Sequence, residues 1–273
     1  MLFRRHMPHD PAAARLEVAD LEVRLESTPV LEEVRFRVEA GERLAVVGPN
    51  GAGKSTLFRA IAGILPPARG RISVGGSQPG LHVCIAYLAQ RSDVNWQFPL
   101  TVEDAVLMGR IRRIGLFHAT GRHDRAIAAR CLETVGLAPL ARRRISDLSG
   151  GQQQRMFIAR ALAQEAEIML MDEPFNGLDA PAQEAIFAIL DRLRSQGVAI
   201  LVALHDLNLA AARFDRVLLL NRRQIACDAP ADALSTRHLE AAYGDRLRLI
   251  ASPAGPRALV DTCCQGGGSC PNS

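Results

Sequence analysis

The chain has 273 residues, 48% of them apolar, and a formal net charge of +4. That length and composition suffice for one large globular domain or two lobes and exclude a wholly disordered chain. The positive charge is mild and its clusters are short, "RIRR" at 110–113 and "ARRR" at 141–144, which argues against a dedicated nucleic-acid face. The longest apolar runs, "VAILVAL" (198–204) and "VLLL" (217–220), have the length of buried strands and fall short of a membrane span. The first residues, "MLFRRHMPHDPAAAR", carry positive charge with no apolar stretch behind it, so they predict no secretory signal and a cytoplasmic location.

In chain order, residues 1–15 read as a tail. Residues 16–47 alternate apolar and charged side chains ("LEVADLEVRL", "VLEEVRFRVEAGERLAVV"), and "GRISVGG" (70–76) adds a strand and a glycine turn. These predict an antiparallel layer. Between about residues 98 and 165, "TVEDAVLMGRIRRIGLF", "HDRAIAARCLETVGL" and "SGGQQQRMFIARALAQ" follow helical periodicity, which predicts an inserted helical subdomain. Apolar strands then resume at "EIMLMD", "VAILVAL" and "RVLLL", separated by helices such as "APAQEAIFAILDRLRSQG". Strands alternating with helices predict an α/β core with a mostly parallel sheet. Cys84, Cys131 and Cys227 read as small buried thiols. From Ser252 the chain turns to Pro, Gly, Ser and Cys, so residues 246–273 are expected to form a disordered extension. Its Cys263, Cys264 and Cys270 read either as a solvated tail or as ligands for zinc or copper(I).

The stretch "GPNGAGKST" carries the first site. It fits G-x-x-x-x-G-K-[ST] at Gly48, Gly53, Lys54 and Ser55, between the apolar run "LAVVG" and the helical "KSTLFRAIAGIL". A chain of this length matches that pattern by accident roughly once in a hundred. The loop Gly48, Pro49, Asn50, Gly51, Ala52, Gly53 curls its amides inward at a helix start, a cradle for phosphate oxygens. Lys54 reaches the β- and γ-phosphates, and Ser55, followed by Thr56, offers a hydroxyl to Mg²⁺. The alternative is a glycine-rich turn with a solvated lysine.

The run "IMLMDEP" ends in two acids at the carboxyl end of a predicted strand, where α/β sheets bind ligands. Asp172 is placed to hold Mg²⁺ and Glu173 to polarise the attacking water, unless the pair merely caps a following helix. His205, at the top of "LVALH", is placed to meet the γ-phosphate and Glu173, its alternative being a structural histidine. In "LSGGQQQR", Ser149 is an apt helix N-cap, and Gly150 and Gly151 leave amides uncovered, which makes a second anion site.

"GPNGAGKST", "LSGGQQQR", "IMLMDEP", "NGLD" and "LVALHDL" occur in the order and spacing of the ATP-binding subunits of ABC transporters, and the chain resembles that family over residues 16–245. The resemblance implies a P-loop NTPase core binding ATP and Mg²⁺. It also implies a head-to-tail dimer in which Ser149, Gly150 and Gly151 touch the γ-phosphate held by Lys54 and Ser55 of the partner subunit. Gln90 resembles the family's glutamine that reaches Mg²⁺ or the attacking water, and Asp179 its aspartate at the dimer seam. Asn176 stands where serine or alanine is more usual. Leu25 stands where an aromatic residue normally stacks on adenine, so the base is expected to be held loosely.

With no membrane span read from the sequence, the resemblance implies an integral membrane permease as partner, a substrate-binding protein acting indirectly, and a peripheral place on the cytoplasmic face of the membrane. The segment after Gln90, "DVNWQFPLTVEDAVLMGRIRRIGLF", is similar to the manganese, zinc and iron importer ATPases, with ferric-chelate and cobalamin importers as runner-up. ABC ATPases acting on DNA or ribosomes usually carry two ATPase domains or a coiled-coil insertion, features this sequence lacks.

Overall fold

A computed structural model describes residues 13–76, 84–90, 95–114, 119–244, 247–250 and 257–260. Cys263, Cys264 and Cys270, read as a solvated tail or as metal ligands, and most of the expected N-terminal tail lie outside these residues. Two long strands, β1 (Leu16–Leu25) and β2 (Thr28–Val38), precede β3 (Arg43–Val47), α1 (Lys54–Ile61), β4 (Arg69–Val74) and β5 (Ile85–Leu88). A helical stretch follows: α2 (Val102–Leu107), α3 (Ile111–Ile114), α4 (Arg122–Thr134) and α5 (Gly150–Ala163). Then come β6 (Ile168–Asp172), α6 (Ala180–Ser195), β7 (Ala199–Leu204), α7 (Leu207–Arg213), β8 (Arg216–Asn221), β9 (Arg223–Asp228), α8 (Pro230–Ala233) and α9 (Thr236–Tyr243).

The main sheet runs β4-β1-β2-β9-β8-β3-β7-β6-β5. The strands from β8 through β3, β7 and β6 to β5 are parallel, whereas β4-β1-β2 and β8-β9 are antiparallel. The α/β core and the antiparallel layer expected from the sequence are therefore parts of one sheet. They are joined by a single parallel bridge, Glu32 to Arg223, which the ion pair between the same two side chains reinforces.

Alternation along the core strands divides the interior into two hydrophobic clusters. Leu44 and Val46 of β3 face Leu57, Phe58 and Ile61 of α1 and the inner sides of β1 and β2. Ala45 and Val47 face the opposite cluster, which holds Met156 and Ile158 of α5 and Ile186, Phe187 and Leu190 of α6. Both faces of the parallel strands are thus covered, which is why those strands read as unbroken apolar runs.

The helical stretch begins at Thr101, whose side chain and that of Asp104 form a reciprocal capping box at the start of α2. Arg110, 5% exposed, ties this region together by donating to Asp124, Glu165 and the Ala163 carbonyl. A guanidinium buried this deeply is tolerable only because its donors are met, and losing the acids that neutralise it costs about 3–5 kcal/mol. Cys84 and Cys131 are buried, and burial pushes both thiols, and that of half-buried Cys227, up to about 11, so all three are inert packing groups.

Within the C-terminal extension only residues 247–250 and 257–260 are described, and both are strands. Strands β10 (Leu247–Ile250) and β11 (Arg257–Val260) pair antiparallel with Leu247 opposite Val260 and Ile250 opposite Arg257. The short runs "LRLI" and "RALV" are rich enough in strand-forming residues to pair across an intervening Pro- and Gly-containing connection, a local signal that the overall composition hid.

Candidate active site

Parallel register brings the candidate residues to one edge. Val47 lies opposite Leu204, Asp172 opposite Ala203, and Leu88 opposite Met171. The next residues along each strand, Gly48, Glu173 and His205, therefore leave the sheet at its carboxyl edge, with Gln90 two residues past the end of β5. This is the edge at which α/β sheets bind ligands.

The loop from Gly48 to Gly53 is shaped by close approaches. A Cβ on Gly48 would collide with the Leu220 carbonyl oxygen, so β8 holds the loop from below. Gly53, at φ 98°, is left-handed, and a Cβ there would strike Leu31. The β1–β2 hairpin therefore presses on the start of α1. Lys54 is 7% exposed and donates to the carbonyls of Gly48 at 2.8 Å and Pro49 at 3.2 Å, which folds the loop around its ammonium. Burial pushes its pKa down, and the nearby Glu173 and Asp172 charges oppose that shift.

Asp172, at the end of β6, is 4% exposed. Burial raises its pKa, against the Ser55 hydroxyl and the Lys54 ammonium, which favour the carboxylate. Its Oδ1 is buried without a hydrogen-bond partner. A buried anionic oxygen left unpaired is costly, so this atom is oriented for a cation.

Glu173 adopts φ 52°, a left-handed conformation rare outside glycine, with its amide bonded to the Ala203 carbonyl at 3.2 Å. Its Oε1 meets His205 Nε2 and its Oε2 accepts from Asn176 Nδ2 at 2.7 Å. The hydrogen bond from His205, aided by the charges of His205 and Lys54, holds this carboxyl below the usual range despite its partial burial. Glu173 is thus an ionised acceptor beside the phosphate loop, the state a group that polarises water requires. His205 precedes Asp206, whose side chain caps α7 through the amides of Asn208 and Leu209.

Ser149 caps α5: its hydroxyl accepts from the Gln152 amide at 3.4 Å while its own amide donates to Gln152 Oε1 at 2.9 Å. The hydroxyl proton stays free to donate outward. Ser149, Gly150 and Gly151 border an open groove of about 520 Å³ with Gly177, Leu178 and Asp179. Asp179 caps α6 through the Ala182 amide at 3.0 Å. Gln90 and Glu173 share an adjoining cavity of about 200 Å³ with Gln154, Asn176 and Gly150, the last of which borders both spaces. The structure thus brings Gly48–Ser55, Asp172, Glu173 and His205 together, with Gln90 bordering them, and sets Ser149–Gly151 and Asp179 on a neighbouring groove.

Two contacts escaped the sequence reading. Asn176 reaches the Glu173 carboxylate, a possibility carried by the short spacing but not by the residue type. Tyr243 on α9 is buried, which pushes its phenol up, while the nearby Gly48 backbone opposes that shift. No local pattern signals that pairing between distant parts of the chain.

A phosphate loop, a paired acid and a histidine on the carboxyl edge of one parallel sheet, with a capped glycine-rich helix start beside them, define an ATP-binding cassette. The profile of the family described as ABC transporter matches residues 31–176, and the chain belongs to that family as one of its ATPases. It is 45% identical to the zinc transport system ATP-binding protein TroB of Treponema pallidum over 251 residues, 91% of this chain and 94% of that protein. It is 42% identical to the manganese transport system ATP-binding protein MntB of Bacillus subtilis, covering 86% of this chain and 94% of that one. Among solved structures it superposes with TM-score 0.78, at 29% identity, on a chain from an inward-facing ABC transporter assigned to the metal-chelate type, covering 92% of this chain and 99% of that one.

Proposed function

We propose that this ATPase energises a membrane importer of manganese, zinc or iron ions. The observation that carries the chemistry is the convergence of Glu173, His205 and Asp172 on the loop that Lys54 closes. The cargo class rests on the likeness to the zinc and manganese system proteins. A metal chelate as cargo is the second reading, favoured by the solved structure that matches in fold.

In this reading the amides of Gly48–Ser55 bind the triphosphate and Lys54 transfers its hydrogen bonds from the loop carbonyls to phosphate oxygens. Magnesium fits the site because Asp172 presents an unpaired buried oxygen beside the Ser55 hydroxyl, and Gln90, which shares a cavity with the neighbouring Glu173, is the further candidate to reach it. The metal, when bound, neutralises charge developing on the phosphates. Glu173 orients and polarises the attacking water, and His205 holds that carboxylate while facing the γ-phosphate. Ser149, Gly150 and Gly151 act on nucleotide held by a second copy in a head-to-tail dimer, with Asp179 at the seam.

Among the described residues no helix is long and apolar enough to cross a membrane, so the path for the ion belongs to a permease partner. Phe98, just before the helical stretch, and Met108 and Ile111 within it are 56%, 38% and 41% exposed, apolar side chains that suit such docking at the cytoplasmic face. A substrate-binding protein serves the same system indirectly, and no nucleic-acid partner is expected. The test of the chemistry is Glu173→Gln, which is expected to bind ATP, hydrolyse it at least a hundredfold more slowly and accumulate an ATP-bound dimer on size exclusion. Normal turnover in that variant removes Glu173 from its role. Metal uptake in cells lacking this chain tests the cargo.

A further inference from the structure

The Glu173 carboxylate is gripped from two sides by groups on different elements. His205, at the end of β7, takes Oε1, and Asn176, three residues beyond Glu173, donates to Oε2 at 2.7 Å. Asn176 is exposed and outside both hydrophobic clusters. The turn that carries it stands without its side chain: the Asn176 amide bonds the Glu173 carbonyl at 3.3 Å, and the preceding Phe175 stacks on Phe187 with centroids 4.7 Å apart. The amide group is therefore dispensable for folding and free to serve the carboxylate.

A carboxylate has about four acceptor positions, and one donor leaves its plane free to rotate about the side-chain bonds. Two donors on separate elements fix that plane and so fix where the remaining lone pairs point. Those lone pairs border the cavity of about 200 Å³ that Glu173 and Asn176 share with Gln90 and Gln154. That space is roomy enough for ordered water, and Gln90, Gln154, Glu173 and Asn176 line it with polar side chains.

We propose that Asn176 is a positioning residue for ATP hydrolysis, one that locks the Glu173 carboxylate against His205 so that its free lone pairs face the attacking water. The proposal rests on the reading of Glu173 as the group that polarises that water. It assigns Asn176 no contact with nucleotide, so its loss affects the turnover number and leaves binding alone.

The experiment introduces Asn176→Ala and Asn176→Asp into the full chain, each in the natural background and in Glu173→Gln, and reads kcat, KM and the Kd of a fluorescent ATP analogue. Asn176→Ala is expected to lower kcat about tenfold, with KM and Kd within about twofold, the cost of loosening an oriented group. Asn176→Asp, similar in shape but without the donor and with a like charge, is expected to lose at least as much. In the Glu173→Gln background, single-turnover hydrolysis is expected to be the same with Asn176 or Ala. Unchanged kcat in Asn176→Ala, or an equal tenfold loss in both backgrounds, overturns the proposal and leaves the role of Glu173 standing. Full turnover in Glu173→Gln alone overturns the reading beneath it as well.

Discussion

The two regions proposed to meet phosphate are built by different means. The loop from Gly48 to Ser55 is clamped between a buried parallel sheet and α1, with Leu220 below it and Leu31 beside it. It is also supplied with a lysine, two acids and a histidine by its own subunit. The start of α5 has a serine cap and glycine amides on an open groove, and among the described residues Arg155 is the only basic side chain bordering that groove. The first region gathers the groups proposed for phosphate, metal and water; the second offers a serine hydroxyl and helix-start amides, with Asp179 as the one acid on its groove among the described residues. Such a division suits the proposed site completed by another copy, in which the α5 start would add stabilisation to phosphates already held elsewhere and so bear on chemistry rather than on binding.

The comparison breaks first at Lys54. Its ammonium is the buried cation of the loop, and Lys54→Ala also leaves the Gly48 and Pro49 carbonyls without their donor. Charged hydrogen bonds of this kind contribute about 1.5–3 kcal/mol, so nucleotide affinity is expected to fall about a hundredfold in a fluorescence titration. Retained affinity would mean that the backbone amides alone bind the phosphates.

A smaller effect separates capping from chemistry at Ser149. Aspartate is as good an N-cap as serine, so Ser149→Asp is expected to keep the thermal stability of α5 and the protein, a change within about 0.5 kcal/mol. Its carboxylate repels phosphate, so turnover is expected to fall at least tenfold while the affinity of the isolated subunit for ATP stays unchanged. Mixing this variant with Lys54→Ala pairs an intact phosphate loop with an intact Ser149 in the mixed dimer. Recovery of turnover above either variant alone supports two-copy sites; no recovery at any mixing ratio leaves the α5 start without a role across the seam.

The parts of this molecule that could be read in advance are those whose chemistry is local. Strand alternation, the phosphate-loop pattern and the apolar run ending at Asp172 each lie within a dozen residues, and the parallel register then brought them to one edge. Contacts between distant segments were not legible: nothing near Tyr243 signals the Gly48 backbone, and nothing near Glu32 signals its bridge to Arg223. The β10–β11 pair was missed for the opposite reason, because the composition of the whole extension outweighed two short strand-forming runs. Asn176 lies between these cases. Its position in "NGLD" was visible, but its hydrogen bond depends on the left-handed Glu173 backbone, and no sequence pattern announces a positive φ at a glutamate.

The smallest effect is expected at the base. Leu25 closes β1 at the hairpin turn, pairs with Thr28 and is 45% exposed. The same hairpin reaches the phosphate loop through Leu31, so Leu25 lies on an element that borders that loop. Stacking of a base on an aromatic ring contributes about 1–3 kcal/mol in nucleic-acid-binding proteins, and a leucine supplies only part of that through dispersion. Affinity then rests on the triphosphate, which ATP and GTP share, and GTP is expected to be hydrolysed within about tenfold of ATP, a difference of about 1.4 kcal/mol. Leu25→Tyr is expected to tighten ATP binding about three- to tenfold with the limiting rate unchanged, because an added ring contacts the base and none of the reacting atoms. Titration and steady-state kinetics with both nucleotides on both proteins measure this directly. A strong preference for ATP in the natural protein, with no gain from tyrosine, would place the base against some other surface and confine Leu25 to ending the strand.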